Sequence, residues 1–320
     1  MPASSDIRRL RRVVRHALTA PLFARRLAGT KAATLSTVED FQNAIAPLSL
    51  DDLAAVRAQR RDPYGGRRSE NGAPCLVMQM EYDPPLYLGF GRGELRTYAE
   101  ALTRCWRLLG IGAGDRVALY DYGTSPAVYL ASAAFAPHLS RGAADALGCV
   151  PICNDGLPEM ASRAVHILRY TRPRVLFIRH DALRPLVDRL SGENTALRFF
   201  GTQAVVVTGN EEAFGRGSMS PIAEQLGVPL YGLLRADAAL FLAPQCPRGG
   251  RWHGWPDLYF LEVLDEETFR PLPGGRTGFL TITPLFARTC PLLRYVTTIT
   301  AALDPDGCPC GEGGVGIVLP

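Results

Sequence analysis

Apolar residues within positions 7–18 recur at the spacing of a helix. Ile7, Leu10, Val14 and Leu18 fall on one side of that helix, whereas five arginines between residues 8 and 15 fall largely on the other. This separation is typical of an amphipathic helix whose apolar face packs against the protein. A solvated basic face accounts for the arginines, and contact with RNA or DNA is the alternative.

From residue 116 onward, short apolar runs alternate with longer amphipathic segments. The runs that predict buried strands are RVALYDYG, CVPICN, RVLFIR, AVVVTG and VPLYGL. The segments that predict the intervening helices are a small-residue stretch through Ala146, PEMASRAVHILRY, Ala182–Leu190 and PIAEQLG. Repeated β-α-β units at this spacing predict an α/β fold, with layered parallel sheets and helices on both faces.

Local signals predict where further elements begin and end. Thr97 and Glu100 form the Thr-x-x-Glu signature of a capping box, which predicts a helix that begins there and ends at Gly110. The Gly- and Pro-rich segment 61–74 is typical of a linker or mobile loop. The glycines of GFGRG (residues 89–93) predict a turn, because the surrounding pattern is not that of a dinucleotide-binding βαβ unit.

The helical signal stops near residue 257. The sequence DLYFLEVLDEETFRPLPGGRTGFLTITPL contains two strand-like runs joined by Pro-Gly-Gly, which predicts a hairpin in a small β subdomain. We therefore expect three parts: N-terminal helices and a linker over 1–74, an α/β core over 75–250, and the β subdomain over 251–320.

The composition narrows the class of protein. The chain has 320 residues, of which 47% are hydrophobic, and this is enough to bury a large core. No apolar run reaches membrane-spanning length, and the Arg-rich start lacks an apolar segment with a cleavage site. Eight cysteines in a chain of this length do not indicate a secreted disulfide framework. We expect a mature cytoplasmic protein with neither a membrane nor a nucleic acid as partner.

The basic residues are almost all arginines. The chain carries 34 arginines and a single lysine, Lys31, with a net charge of only +4. Together with abundant Ala, Gly and Pro, this bias indicates a GC-rich bacterial gene rather than a nucleic-acid binder. Any reaction that needs a lysine has one candidate.

Four side chains of metal-binding type occur in two pairs. Cys246 and His253 lie in CPRGGRWH, and Cys308 and Cys310 lie in CPCG. Three thiolates and one imidazole form a set that structural Zn²⁺ prefers in a closed tetrahedral site. Such a site would connect the end of the α/β core to the β subdomain. The alternative is core packing, because Cys-x6-His is not a standard finger spacing and lone cysteines often act as small core residues.

Several segments occur in an order that resembles one enzyme family. LRRVVRHALTAPLFARRLAG and LSTVEDFQNAIAPLSLDDL resemble its N-terminal helices, and GIGAGDRVALYDYG resembles its first core strand. LGCVPICNDGLPEMASRAVHILRYTRPRVLFI resembles the strand-helix-strand beneath its aryl pocket. GVPLYGLL stands at its Tyr-Gly-Leu-Thr-Glu motif, and CPLLRYVTTIT…CPCG stands at its Pro-Leu-Ile-Arg-Tyr-Arg-Thr-Gly-Asp run with the trailing cysteine knuckle. The family is the phenylacetate–coenzyme A ligase branch of the adenylate-forming enzymes.

This resemblance implies the N-terminal large domain of adenylate-forming enzymes as the fold. It also implies a structural Zn²⁺ site, because this branch carries zinc ligands in the same Cys…His…Cys-x-Cys order. The phosphate loop of the family, which is rich in Ser, Thr and Gly and ends in Gly-Lys-Pro, is replaced here by MQMEYDPP (Met78–Pro85). Glu81 and Asp83 would place negative charge beside a triphosphate, which repels it.

Three further nucleotide contacts implied by the resemblance differ in this sequence. Leu234 and Arg235 replace the Thr-Glu that helps to hold phosphate and Mg²⁺, and leucine is no ligand for a hard cation. Ile299 replaces the ribose-binding Asp, although Arg294 is kept. The mobile C-terminal domain of the family, which supplies a catalytic lysine, does not follow before residue 320. We therefore expect neither ATP nor Mg²⁺ as a cofactor.

The resemblance places an acyl or aryl pocket at the carboxyl ends of the strands, where open parallel sheets bind ligands. The loops expected there are Asp121–Thr124, Asn154–Gly156, Gly209–Glu211 and Tyr231–Arg235. The residues carried over as pocket lining are Tyr122, Gly123, Asn154, Asp155, Gly156, Gly209, Tyr231 and Gly232.

Ionisable residues at or near these positions are the candidate catalytic residues: Asp121, Arg235, His138 and Glu211. A carboxyl group beside an apolar pocket can act as an acid or a base, and an arginine suits a substrate carboxylate.

Two functional hypotheses of different class follow. In the first, the chain is a bacterial biosynthetic enzyme that acts without ATP on an aromatic or acyl substrate, either free or linked to coenzyme A or a carrier. Proton transfer, cyclisation or condensation would be its reaction. In the second, it is a non-catalytic relative that binds a ligand or a partner ligase. An adenylate-forming coenzyme A ligase is the third and least favoured hypothesis, and a homodimer is left open.

Overall fold

The computed structural model describes residues 4–70, 72–80, 85–209, 213, 220–304 and 306–320. Its helices are α1 (Ser4–Ala17), α2 (Pro21–Arg26), α3 (Val38–Ala44), α4 (Leu50–Arg60), α5 (Arg92–Leu108), α6 (Pro126–Tyr129), α7 (Ala143–Leu147), α8 (Ala161–Thr171), α9 (His180–Gly192) and α10 (Ser220–Leu226). Its strands are β1 (Leu76–Gln79), β2 (Tyr87–Phe90), β3 (Arg116–Asp121), β4 (Val150–Asp155), β5 (Val175–Arg179), β6 (Ala204–Gly209), β7 (Leu230–Ala236), β8 (Phe241–Pro244), β9 (Trp252–Gly254), β10 (Tyr259–Leu264), β11 (Gly278–Pro284), β12 (Tyr295–Asp304) and β13 (Val315–Val318).

The chain divides into two units. The first contains Met1–Thr97, Ala236–Phe241 and Gly254–Pro320, and the second contains Tyr98–Arg235 and Leu242–His253. Each unit is therefore assembled from segments that are distant in sequence.

The second unit is built on a six-stranded sheet with the order β4-β3-β5-β6-β7-β8. Strand β3 pairs in parallel with β4 and with β5, β5 pairs in parallel with β6, and β6 with β7. These strands coincide with the five apolar runs of the sequence. The predicted α/β class with a parallel sheet is confirmed.

Helices pack against both faces of this sheet. Successive side chains of a strand point to opposite faces, so each strand contacts both layers of helices. Leu176 and Ile178 of β5 belong to a buried cluster that also contains Leu168 of α8 and Leu186 of α9. Phe177, between them, stacks instead on Trp106 of α5, with ring centroids 5.3 Å apart. Burial on both faces explains why β5 is apolar at every central position.

The first unit contains β10, β11, β12 and β13, which neighbour one another in that order in one sheet. Strands β10, β11, β12 and β13 pair in antiparallel fashion, as a hairpin pattern requires. Gly275 of the predicted Pro-Gly-Gly turn has φ +80°, the left-handed conformation that favours glycine. A separate antiparallel pair, β1 and β2, also belongs to this unit.

Helix α1 follows the predicted amphipathic pattern. Leu10, Val13, Val14 and Ala17 are at most 2% exposed. Arginines 8, 12 and 15 are exposed on its other side. No helix in the described ranges, α1 included, has the length and apolar composition that crossing a membrane requires.

The predicted start of α5 is wrong. The helix begins at Arg92, five residues before Thr97, whose hydroxyl donates to the carbonyl of Gly93 over 3.0 Å. Glu94 makes the N-terminal contact instead, since its Oε2 accepts the Gly91 N–H at 2.6 Å. An acidic residue in the first turn can satisfy a free N–H as a capping box does, and this signal lies three residues before the one predicted.

Two further predictions are corrected. The small-residue stretch before Ala146 forms two short helices, α6 and α7, rather than one, because Asp145 accepts the Ala133 N–H at 2.7 Å and holds the turns between them. Segment 61–74 is not a loose linker throughout, because Arg67 is fully buried. Its guanidinium donates to the carbonyl of Ala238 over 3.3 Å.

Candidate functional site

The side chains of Asp121 and Arg235 meet at the carboxyl ends of the parallel strands. Asp121 ends β3, Arg235 lies near the end of β7, and Arg235 Nη1 is 3.3 Å from Asp121 Oδ2. The side chains are 0% and 5% exposed, respectively. Because both charges are buried, their attraction offsets part of the cost of removing them from water. The structure thus brings together two of the four predicted catalytic residues.

Two hydroxyl groups complete this cluster. Ser125 Oγ donates to Asp121 Oδ2 over 2.7 Å, and Thr208 Oγ1 donates to the same oxygen over 2.6 Å. The other carboxylate oxygen accepts the N–H of Tyr122 at 2.8 Å. Arg235 Nη1 also donates to Ser125 Oγ. We refer to Asp121, Ser125, Thr208 and Arg235 as the strand-end cluster.

Neither Ser125 nor Thr208 is a predicted site residue. Ser125 follows Asp121 by four positions and caps α6, where its Oγ accepts the Ala127 N–H at 3.3 Å. Thr208 is the penultimate residue of β6, next to Gly209. A hydroxyl residue beside a predicted strand-end loop is the signal that could have identified each of them.

The end of β4 lies directly beside Asp121. The β3–β4 register pairs Asp121 with Asp155. A Cβ atom on Gly156 would lie 2.4 Å from the Cα of Asp121, so this close approach requires glycine. Asn154 is buried, whereas Asp155 is exposed. The Oδ2 atom of Asp155 lies 3.6 Å from Nη1 of Arg163. The predicted pocket residues of β4 are therefore neighbours of the strand-end cluster.

The ring of Tyr122 lies against the guanidinium of Arg179, which is not one of the predicted site residues. The guanidinium carbon of Arg179 lies 3.6 Å from the centroid of the Tyr122 ring, which is a cation–π contact. Asp181 holds this guanidinium through two contacts of 2.9 and 2.6 Å. Arg179 ends β5, so a second arginine stands at the carboxyl ends of these strands. Gly123, the next predicted pocket residue, is exposed.

A buried phenol lies one position before Asp121. Tyr120 donates from its hydroxyl to the carbonyl of Leu157 over 2.6 Å. Burial, assisted by the charges of Glu159, Asp155 and Asp181, raises the pKa of Tyr120 to about 12. The phenol therefore remains a hydrogen-bond donor at neutral pH and fixes the chain that follows β4.

The predicted loop over residues 231–235 is wrong, because β7 continues through it to Ala236. Gly209 pairs with Leu234 and so lies at the carboxyl end next to Arg235. Tyr231 and Gly232 lie earlier in β7, level with the middle of β6. The structure does not bring these two residues to the strand ends.

Two predicted catalytic residues are not part of the strand-end cluster. His138 is exposed in the turns between α6 and α7, with φ +76°. Within the described residues, the strand-end cluster makes its hydrogen bonds without His138. Glu211 lies outside the described residues.

Three positions at which the resemblance implies nucleotide contacts carry buried apolar side chains. Met80, Leu234 and Ile299 are 3%, 1% and 4% exposed, respectively. None of these side chains carries an oxygen that could bind a ligand. Glu81 and Asp83 lie outside the described residues.

Arg294, the residue kept from the same motif, has a structural partner. Its Nε and Nη2 atoms each lie 3.1 Å from an oxygen of Glu262, and Nη1 donates to the carbonyls of Gln42 and Ile45. Burial raises the pKa of Glu262, and the contacts with Arg294 and Gln42 oppose that shift. These contacts of the Arg294 guanidinium are thus all made with residues of the first unit.

Four side chains form a group that fits a metal ion: Cys246, His253, Cys308 and Cys310. Their candidate ligand atoms all lie within 4.8 Å of one another. In a tetrahedral zinc site with Zn–S bonds near 2.3 Å, sulfur ligands lie about 3.8 Å apart, so a small inward adjustment would close the group on an ion.

Backbone donors already point at two of these sulfurs. The N–H of Gly249 donates to Cys246 Sγ at 3.3 Å, and the N–H of Glu312 donates to Cys310 Sγ at 3.4 Å. Such N–H···S contacts favour the thiolate, the form that binds metals. A set of three sulfurs and one nitrogen suits Zn²⁺ and other thiophilic ions.

Comparisons with known proteins find phenylacetate–coenzyme A ligases as relatives. A phenylacetate–coenzyme A ligase of Thermus thermophilus is 27% identical over 234 residues, which cover 71% of this chain and 49% of that protein. A phenylacetate–coenzyme A ligase of Pseudomonas putida is 24% identical, with 69% and 48% covered. The chain spans about half the length of these curated relatives. No family model matches the chain.

Solved structures show the same fold. An open conformation of 2-hydroxyisobutyryl-CoA ligase, in complex with 2-HIB-AMP and CoA, superimposes with a TM-score of 0.82 at 23% identity, over 99% of this chain and 68% of that chain. The anthranilate CoA ligase AuaEII, in complex with anthranoyl-AMP, gives a TM-score of 0.52 at 12% identity, over 76% and 47%. The described fold is that of the N-terminal domain of such enzymes.

Proposed function

Because the chain is related to the phenylacetate–coenzyme A ligase branch of the adenylate-forming superfamily, we propose that it binds an acyl or aryl substrate at the carboxyl ends of the six-stranded sheet and acts on it without ATP. The substrate is a free acid or a thioester of coenzyme A or a carrier. Proton transfer needs no adenylate with either substrate, and cyclisation or condensation needs none when the thioester supplies a thiol as the leaving group. The proposed setting is a biosynthetic enzyme of the bacterial cytoplasm.

One observation carries this proposal: polar and glycine positions from four strands converge at one edge of the parallel sheet. Asp121 ends β3, Gly156 follows β4, Gly209 ends β6 and Arg235 lies near the end of β7. In open α/β sheets, ligands bind at this edge. The close approach of Gly156 to Asp121 supports a packed and preorganised site rather than a loose loop region.

The absence of ATP from the proposed reaction rests on the nucleotide positions. Leu234 stands where an oxygen ligand for Mg²⁺ is needed, and Ile299 stands where a ribose hydroxyl needs an acceptor. Both side chains are buried. Restoring either contact would require a polar group in the core, which costs free energy unless a partner is supplied.

We assign different roles to the two charged residues of the strand-end cluster. Arg235 is the candidate catalytic residue, because a guanidinium can hold a carboxylate or stabilise negative charge that develops on a carbonyl oxygen. Asp121 and Ser125 are positioning residues, because both contact the Nη1 atom of Arg235. Four hydrogen-bond donors converge on the Asp121 carboxylate, so both of its oxygens are already engaged within the protein.

A second candidate function is supported by the burial of the same pair. Asp121 and Arg235 are both buried, as expected of charges that hold a fold together. In that case the chain is a non-catalytic relative that binds a ligand or a partner ligase. The two functions predict different results when Arg235 is replaced.

We further propose that the Cys/His group binds one structural Zn²⁺. The donor set of three sulfurs and one imidazole nitrogen supports zinc, and four protein ligands leave no position for a substrate. The ion would contribute stability rather than chemistry. Its binding depends on thiolates, so it should weaken as pH falls.

Replacement of Arg235 by lysine tests the enzymatic proposal. The protein would be incubated with a panel of aryl and acyl acids and their coenzyme A thioesters, and products would be followed by mass spectrometry without ATP. We expect turnover by the unaltered protein and a loss of about 100-fold in Arg235→Lys, as for removal of one charge-stabilising donor. Arg184→Lys is the matched control, because Arg184 is exposed on α9 and pairs with Asp188.

The outcomes separate the two candidates. Equal turnover by Arg235→Lys and by the unaltered protein would refute the assigned role. Ligand-induced thermal stabilisation without turnover, lost in Arg235→Lys, would favour the binding protein. Neither turnover nor stabilisation with any member of the panel would contradict both.

A further inference from the structure

A cavity of about 420 Å³ lies in the first unit and is lined by residues of that unit alone. Its walls come from residues 72–73, from the junction of β2 with α5, and from the segment between β11 and β12. This volume falls within the range of small-molecule sites. The Gly-rich stretch GFGRG, which the proposed function does not use, forms part of the wall.

Two arginines give this cavity its chemical character. Arg96 and Arg288 both line it and are exposed. Among the residues that the structure describes, neither guanidinium makes an ion pair. Guanidinium groups present planar pairs of donors that match the geometry of carboxylate and phosphate oxygens.

The one acidic side chain in the lining has its oxygens engaged. Glu94 is 6% exposed and accepts the Gly91 N–H at 2.6 Å and the Thr289 N–H at 2.8 Å. The N–H of Arg288 and the hydroxyl of Thr289 also donate to it. These contacts hold the backbone of residues 288–289 against the start of α5. The position of Arg288 on the wall is therefore fixed.

The pKa of His16 reflects positive charge near the cavity. Burial lowers the pKa of His16, and Arg288, Arg15 and Arg12 lower it further, while Glu94 acts in the opposite direction. The charge of Arg288 therefore reaches a side chain of α1. An anion held by Arg288 would relieve this repulsion.

We propose that the cavity binds a small oxyanion with two negative charges, a phosphate ester or a dicarboxylate, between Arg96 and Arg288. The site does not depend on the strand-end cluster, whose residues belong to the second unit. Its ligand is recognised through charge and paired oxygens. The open space beside Gly93, where an added Cβ would meet nothing within 4 Å, leaves room for the organic part of the ligand.

Titrations with inorganic phosphate and with succinate at constant ionic strength test this proposal on the whole chain. Calorimetry should show saturable binding of at least one anion at pH 7.5, and Arg96→Ala or Arg288→Ala should each weaken it about tenfold, or 1.4 kcal/mol. Arg184→Ala, an exposed arginine of α9 that pairs with Asp188, should bind as the unaltered protein does. The preferred anion identifies the source, phosphate for an ester and succinate for a dicarboxylate.

The pKa of His16 provides a second readout by NMR. At an anion concentration that saturates the unaltered protein, the anion should raise that pKa, and the rise should be smaller in Arg288→Ala. Circular dichroism would establish that both variants keep the fold, as expected for exposed side chains. Binding of neither anion, or equal binding by the Arg96→Ala/Arg288→Ala double variant, would overturn the proposal.

Discussion

Asp121 and Arg235 lie on strands that are separated by β5 and β6, yet Arg235 Nη1 is 3.3 Å from Asp121 Oδ2 in a buried ion pair. Thr208 of β6 donates to the same carboxylate oxygen. The ends of three strands are thus connected through one side chain. This relationship determines what substitutions in the strand-end cluster should do.

Removal of Asp121 should destabilise the protein strongly. Asp121→Ala breaks the buried ion pair with Arg235, which we expect to cost about 3–5 kcal/mol of unfolding free energy in urea. The double variant Asp121→Ala/Arg235→Ala should cost less than the sum of the single variants. Asp188→Ala, at an exposed ion pair of α9, should change stability by less than about 1 kcal/mol. Additive losses in the double variant would contradict the coupling.

The Cys/His group should carry metal. Elemental analysis of the purified protein should give about one Zn²⁺ per chain, and Cys308→Ser should lose most of it, because a structural site needs all four ligands. Cys153→Ser is the matched control, since Cys153 is exposed and lies outside the group. A Cys308→Ser protein that kept its zinc and its melting temperature would refute the site.

Glu94 should contribute more to the free energy of unfolding than Glu100, an exposed glutamate of the same helix. Glu94→Gln removes charge from an acceptor of three backbone N–H groups and one hydroxyl, and we expect a loss of about 1–3 kcal/mol. Glu100→Gln alters an exposed pair with Arg104 and should be nearly neutral. Hydrogen exchange at the Thr289 amide should accelerate in Glu94→Gln alone. Unchanged exchange would show that Glu94 does not hold that segment.

His16 should titrate below its ordinary value of 6.5, because burial and then Arg288, Arg15 and Arg12 lower its pKa. Between the lowered pKa and 6.5 the unfolded chain binds more protons at this site than the folded one. The stability contributed by neutral His16 is therefore present above pH 6.5 and is lost as pH falls toward the folded pKa. An NMR titration measures this directly, and a midpoint above 6.5 would contradict the charge environment described.

Much of the parallel sheet could be predicted from the sequence. The five apolar runs coincide with β3 to β7, because strands buried on both faces need apolar residues at nearly every position. The location of Asp121 at a strand end followed directly from that pattern. The α/β class and the relation to coenzyme A ligases are confirmed.

Features that depend on contacts distant in sequence could not be predicted in the same way. Thr208 contacts Asp121, 87 positions away, only because the fold brings their strands together, and no local pattern marks that contact. The predicted start of α5 is wrong because Thr97 and Glu100 satisfy the local rule, whereas Glu94 accepts backbone N–H groups of residues 288–289 that no local rule takes into account. The extension of β7 was missed because Arg235 is a charged residue whose partner lies on another strand.

The roles of the predicted site residues stay predictions. The structure gathers Asp121, Asn154, Asp155, Gly156, Gly209 and Arg235 at or beside the strand ends, and it places His138, Tyr231 and Gly232 elsewhere. Turnover measurements on the Arg235 variant would establish whether this arrangement is catalytic.

Titration of the protein with ATP and Mg²⁺ by calorimetry tests the central claim most directly. Met80, Leu234 and Ile299 are buried at positions where the resemblance implies nucleotide contacts. We predict no heat of binding up to millimolar ATP. Saturable binding with micromolar affinity would contradict the account and restore an adenylate-forming activity.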